Sequence, residues 1–123
     1  MPNRIMPGYI NQLGDKMELV VDHDGPASYN NTGTFSTSGE TINAADLGLG
    51  GFELVQIDAL SSDGLNYGYV VLSNQSTSST PQGVGANAVP SAVIHWYVLA
   101  TNVEVANAVN LSTKSLRLQI RGV

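Results

Sequence analysis

The chain has 123 residues, of which 42% are hydrophobic and only 12% charged, with no cysteine and a formal net charge of −5. That length fits one domain, and a charge content about half the usual quarter excludes a coiled coil, a long solvated helix and charge-driven disorder. The acidic balance argues against nucleic acid or an acidic membrane as partner, since both need a basic footprint; the missing cysteine removes disulfides, thiolate metal sites and cysteine nucleophiles.

Residues 1–12 are expected to form an N-terminal arm stiffened by Pro2 and Pro7, with a short extended stretch at Met6 to Ile10; a plain edge strand is the alternative. The opening residues lack the apolar stretch of a signal peptide, and no run reaches the length of a membrane span. The sequons at Asn30, Asn74 and Asn110 are therefore expected to be chance. Residues 13–123 form the expected domain. In Lys16 to His23, Met17, Leu19 and Val21 alternate with Lys16, Glu18 and Asp22, the period of a half-buried antiparallel strand, and His23 continues the inward face. Asp24 to Gly39 reads as a loop rich in Gly, Ser, Thr and Asn, with a short strand expected at Thr34 to Thr37. Thr41 to Leu47 reads as a single helical turn, with Asn43 as cap and Gly48 closing its carbonyls.

Phe52 to Ile57 and Ala92 to Ala100 are largely apolar on both faces and should be covered on both sides. Tyr67 to Ser73 and Val103 to Ala106 supply two more strands, and a turn is expected at Asn110 to Ser112. The polar loop at 73–91 exceeds the roughly 12–15 residues usual for structureless connections. Last, Leu116, Leu118 and Ile120 alternate with Ser115, Arg117, Gln119 and Arg121. Many short strands without interleaved helices predict an all-β, single-domain, two-sheet antiparallel β-sandwich, with a jelly roll as the expected winding.

Chemistry is sparse. No Gly-x-Ser-x-Gly occurs, and His95 lies in the most apolar run, so a core or interface histidine is expected there; His23 reads likewise. Asp22-His-Asp-Gly25 fails calcium-loop spacing because Pro26 and Ala27 fall where a ligand and the turn glycine belong. Gly48-Leu-Gly-Gly51 lacks the Lys and the following helix of a phosphate loop. No catalytic, metal or cofactor residue is assigned, and an enzyme is not expected. Trp96 and Tyr97 sit in the strand read as buried, while Tyr67 and Tyr69 share one strand face, which is either ordinary sheet packing or a stacking platform for a glycan.

Charge is segregated along the chain: between Asp63 and Glu104 no charged residue occurs, every other acid lies at or before Asp63, and Lys114, Arg117 and Arg121 follow. The basic C-terminal strand either docks on an acidic partner or pairs with the early carboxylates across a sheet. Three stretches, Leu13 to Val20, Thr41 to Ile57 and Asn110 to Val123, resemble the small head-decoration, or cement, proteins of tailed bacteriophages. The resemblance implies a structural virion protein on the outer surface of the capsid. Such a protein would bind the major capsid protein, clamp neighbouring coat subunits and associate with itself, a homo-trimer being favoured over a homo-dimer. It implies no cofactor, nucleic-acid or membrane partner. Arg4, Met6, Tyr9, Arg117 and Arg121 are the expected coat contacts. A glycan-binding β-sandwich module, lectin-like or from a fibre tip, is the alternative.

Overall fold

The computed structural model describes residues 3–14, 16–35, 37–57, 60–72 and 88–123, with the side chains of residues 6–11 and 13 outside that description. In chain order the strands are β1 (Asn3–Leu13), β2 (Lys16–Asp24), β3 (Glu40–Asn43), β4 (Phe52–Ile57), β5 (Asn66–Leu72), β6 (Ser91–Val98), β7 (Val103–Glu104) and β8 (Ser115–Gly122). They build two antiparallel sheets, one ordered β1-β2-β8-β4 and the other β3-β6-β5, with β7 also pairing with β6. The protein is thus an all-β sandwich, and the described residues contain no α-helix.

The period-2 patterns set the two inner faces. Leu19 and Val21 of β2, Leu116, Leu118 and Ile120 of β8, and Phe52 and Val55 of β4 meet Ile42 of β3 and Ala92, Ile94 and Trp96 of β6 in one buried cluster. Burying each large apolar side chain contributes about 1.5–3 kcal/mol. At Gly68 the two sheets approach closely: a Cβ there would lie 2.5 Å from Ile57 Cδ1 and 2.9 Å from Leu116 Cδ1. The segment expected as an arm is, from Asn3 onward, the edge strand of the first sheet, paired with β2 through a register shift between Ile5 and Ile10.

The turn expected at Thr41 to Leu47 divides in two. Glu40 to Asn43 is strand, and a 3-10 turn follows at Ala44–Leu47, ended by Gly48 in the left-handed region (φ 76°). Asn43 stands at the cap position without a side-chain hydrogen bond. Of the short strand expected at Thr34 to Thr37, the described residues Thr34, Phe35 and Thr37 lie in a turn instead. Ser38 N donates to Thr34 O at 3.0 Å, Thr37 N to the same oxygen at 3.2 Å, and the Thr34 and Thr37 hydroxyls bond each other. Local hydroxyl bonds here outcompete strand pairing. Asn110 forms the expected turn, its Oδ1 accepting from Ser112 N at 2.9 Å. Of the polar loop at 73–91, residues 73–87 lie outside the described residues; Val89 bridges Phe52, and Ser91 already belongs to β6.

Candidate functional site

Two buried polar clusters are the first places to look for chemistry. On the outer face of the second sheet, the loop between β2 and β3 folds over β6. Glu104 Oε2 there accepts from Tyr29 Oη at 2.6 Å and Ser38 Oγ at 2.9 Å, and His95 Nδ1 lies 3.2 Å away. Tyr29 Oη also accepts from Trp96 N at 3.1 Å. Burial pushes the Glu104 carboxyl up, but the hydrogen bonds from Tyr29, Ser38 and His95 outweigh it and hold the group below its ordinary value. Burial first, and the adjacent Glu104 second, push the Tyr29 phenol upward. Ser, His and Glu together invite a triad reading, which the geometry rejects. A triad splits the imidazole between acid and nucleophile, whereas here Ser38 and Glu104 both face Nδ1, and Ser38 donates directly to the carboxylate. Ser38 is also buried. The cluster fastens a loop.

The second cluster lies between the sheets. His23 Nδ1 meets Asn3 Oδ1 at 2.5 Å, and its Nε2 lies 2.9 Å from Glu40 Oε1, off the line of a hydrogen bond. Trp96 Nε1 donates to the same Glu40 oxygen at 3.1 Å. With His23 only 1% exposed, no substrate reaches it, and the group ties β1, β2, β3 and β6 together. Among the described residues no three His, Asp or Glu side chains converge to hold a metal ion.

The expected coat-contact residues lie on the first sheet. Arg4 donates to Asp24 at 2.5 Å, and Arg117 to Asp22 at 2.9 Å from Nε and 3.3 Å from Nη2. The Arg117 ion pair is the cross-strand pairing of β2 with β8, Asp22 lying opposite Arg117 and Glu18 opposite Arg121. Arg121 Nε is buried, with no hydrogen-bond partner among the described residues. Met6 and Tyr9 fall within β1, and their side chains lie outside the described residues. The structure therefore puts Arg4, Arg117 and Arg121 on one charged sheet whose acids already neutralise two of them.

Two less polar surfaces remain. At the end of the sandwich where β5 and β8 begin and β6 ends, a groove of about 510 Å³ is lined by Leu65, Val98, Leu99, Val105, Val109 and Leu111, with Lys114 beside it. Leu65 is 61% exposed and Leu99 41%, and Leu99 N donates to Leu65 O at 3.0 Å, which fixes the rim. Lys114 is occupied by Asn66 Oδ1 at 2.5 Å and Asp63 Oδ2 at 3.0 Å. On the outer face of the second sheet, Tyr67 and Tyr97 are opposite each other in register and stack at 5.2 Å and 9°. Tyr69, two residues along, is 56% exposed, and Phe35 is 51% exposed, 6.1 Å from Tyr69 and stacked on His95 at 4.0 Å. Sequence reasoning found Tyr67 and Tyr69 but not Tyr97 or Phe35. The antiparallel register supplies the first, and no periodic signal marks the second. Compared with family models, curated proteins and solved structures, the chain matches none.

Proposed function

We propose that the protein is a structural virion protein that binds the outer surface of a phage head as a decoration, or cement, subunit and clamps neighbouring coat subunits. The observation that carries the reading is the apolar groove rimmed by Leu65, Leu99 and Val109 at one end of the sandwich. Exposed aliphatic side chains gathered around one depression favour a protein partner over a small reactant. The occluded histidines and, among the described residues, the absence of a nucleophile with its own base favour a binding role over catalysis. The orders β2-β8-β4 and β3-β6-β5 support a jelly-roll winding, since the chain passes between sheets at each step from β2 to β5 and again from β6 to β8. Strand β1, with Arg4, Met6 and Tyr9, and the β8 arginines Arg117 and Arg121 make the second contact, and a homo-trimer places several such grooves on one lattice. Each bridged pair of coat subunits then resists expansion of the shell by mass action and avidity.

The test is co-sedimentation with shells assembled from the coat protein encoded alongside this chain. Wild-type protein is expected to pellet with shells and not with free coat subunits. Leu65→Asp, at an exposed position, is expected to lose at least about tenfold in affinity while its unfolding midpoint stays unchanged. Wild-type protein that stays in the supernatant overturns the reading.

A further inference from the structure

We infer that the outer face of the second sheet is a binding site for a neutral saccharide, independent of any shell contact. The aromatic strip runs from Phe35 through Tyr69 to the Tyr67–Tyr97 stack. Strands β5 and β6, which carry three of its four rings, contain no Asp, Glu, Lys or Arg. Glu104, the carboxylate that reaches this face, is consumed by Tyr29, Ser38 and His95. A face whose one carboxylate is already satisfied matches an uncharged ligand, because a charged one would give up hydration with nothing free opposite to compensate it.

The chemistry of the rings narrows the class. Aromatic faces are electron-rich, and the C–H face of a pyranose is the neutral, weakly positive surface that lies flat on them, leaving sugar hydroxyls for polar groups at the rim. Such groups are present: the tyrosine hydroxyls, and Asn102, whose Oδ1 accepts from Tyr67 Oη at 3.3 Å. The platform is also ordered in advance. Phe35 is held on His95, Tyr67 on Tyr97, and the loop carrying Phe35 is fastened by Tyr29 and Ser38 to Glu104. Little side-chain freedom is then lost on binding.

Isothermal titration with maltohexaose, cellohexaose, chitohexaose and mannohexaose, against sialyllactose and a hyaluronan hexasaccharide as anionic comparators, tests the site. At least one neutral oligosaccharide is expected to bind, more tightly than either anion. Tyr69→Ala is expected to weaken that binding at least about tenfold, Tyr69→Phe to retain it, and Leu99→Ala, in the groove, to leave it unchanged, with circular dichroism confirming that each variant folds. Absence of binding by all four neutral sugars at millimolar concentration overturns the inference. So does binding that Tyr69→Ala leaves intact, or a concentration-dependent increase in mass that Tyr69→Ala abolishes, which would make the face a contact between copies.

Discussion

Glu104 shows how much of a polar cluster one residue can organise. Its carboxylate is reached by Tyr29, 75 positions away in the chain, by Ser38, 66 away, and by His95, 9 away. The apolar run around His95 makes a buried histidine legible in the sequence, and the inward phase of β2 does the same for His23. Neither pattern names the partners, because Tyr29 and Ser38 lie in a loop without period and reach Glu104 only through tertiary folding. Tyr29 is the residue to remove. Its hydroxyl donates to Glu104 and accepts from Trp96 N, and it is 1% exposed. Tyr29→Phe keeps the ring and leaves a buried amide without its acceptor, so the expected loss is about 1–3 kcal/mol of stability. Urea denaturation reads this directly, with the midpoint lowered and the slope unchanged; an unaltered midpoint would show that water replaces the hydroxyl without cost.

Elements differ in how far their own sequence dictates them. β2 and β8 alternate cleanly, and the structure gives Leu19, Val21, Leu116, Leu118 and Ile120 to the core as the alternation requires. The strand expected at Thr34 to Thr37 has β-branched residues, but the described ones, Thr34, Phe35 and Thr37, join no strand: the Thr34 and Thr37 hydroxyls bond each other, and the Thr37 and Ser38 amides donate to the Thr34 carbonyl. β5 illustrates a constraint that propensity hides. Glycine weakens an isolated strand, yet Gly68 is what lets β5 lie against Ile57 and Leu116, the latter fully buried. Gly68→Ala gains strand propensity and overpacks the space between the sheets. The second effect is the larger, with a net destabilisation of about 1–3 kcal/mol expected. Thermal unfolding checks the sign: a raised midpoint would mean that Leu116 and Ile57 repack freely.

For the molecule as a whole, the gap in charge between Asp63 and Glu104 becomes a difference between sheets. β1, β2, β4 and β8 hold Arg4, Lys16, Glu18, Asp22, Asp24, Glu53, Arg117 and Arg121, while the second sheet holds only Glu40 and Glu104. The gap itself is legible in the sequence; its conversion into a neutral aromatic face requires the register that sets Tyr67 beside Tyr97. The charged sheet and its margins are laced by Arg4–Asp24, Lys16–Glu53 and Arg117–Asp22, and Lys114–Asp63 closes the groove end. Exposed pairs of this kind contribute about 0–1 kcal/mol each, so their effect shows best as a dependence on pH. Asp63 is held down at about 2, first by the Leu65 amide and then by Ser61 and Lys114, and Glu104 is also lowered. A carboxyl whose folded-state pKa lies below its unfolded value is protonated more readily in the unfolded chain as pH falls. Its stabilisation is therefore complete above the unfolded value, near 3.8 for Asp63, and is lost progressively as pH falls to about 2. The unfolding midpoint is expected to fall between about pH 4 and pH 2. Asp63→Asn should start from a lower midpoint at neutral pH and fall less steeply through that window. Glu104→Gln should likewise start lower and lose less on acidification, its carboxyl too being held below its ordinary value, with a larger deficit at neutral pH because the Tyr29 and Ser38 hydroxyls and His95 lose a charged acceptor. Scanning calorimetry at low protein concentration, away from the isoelectric point near 4.6, separates these slopes. A midpoint that stays level or rises on acidification would mean that the retained carboxylates repel more than they bind.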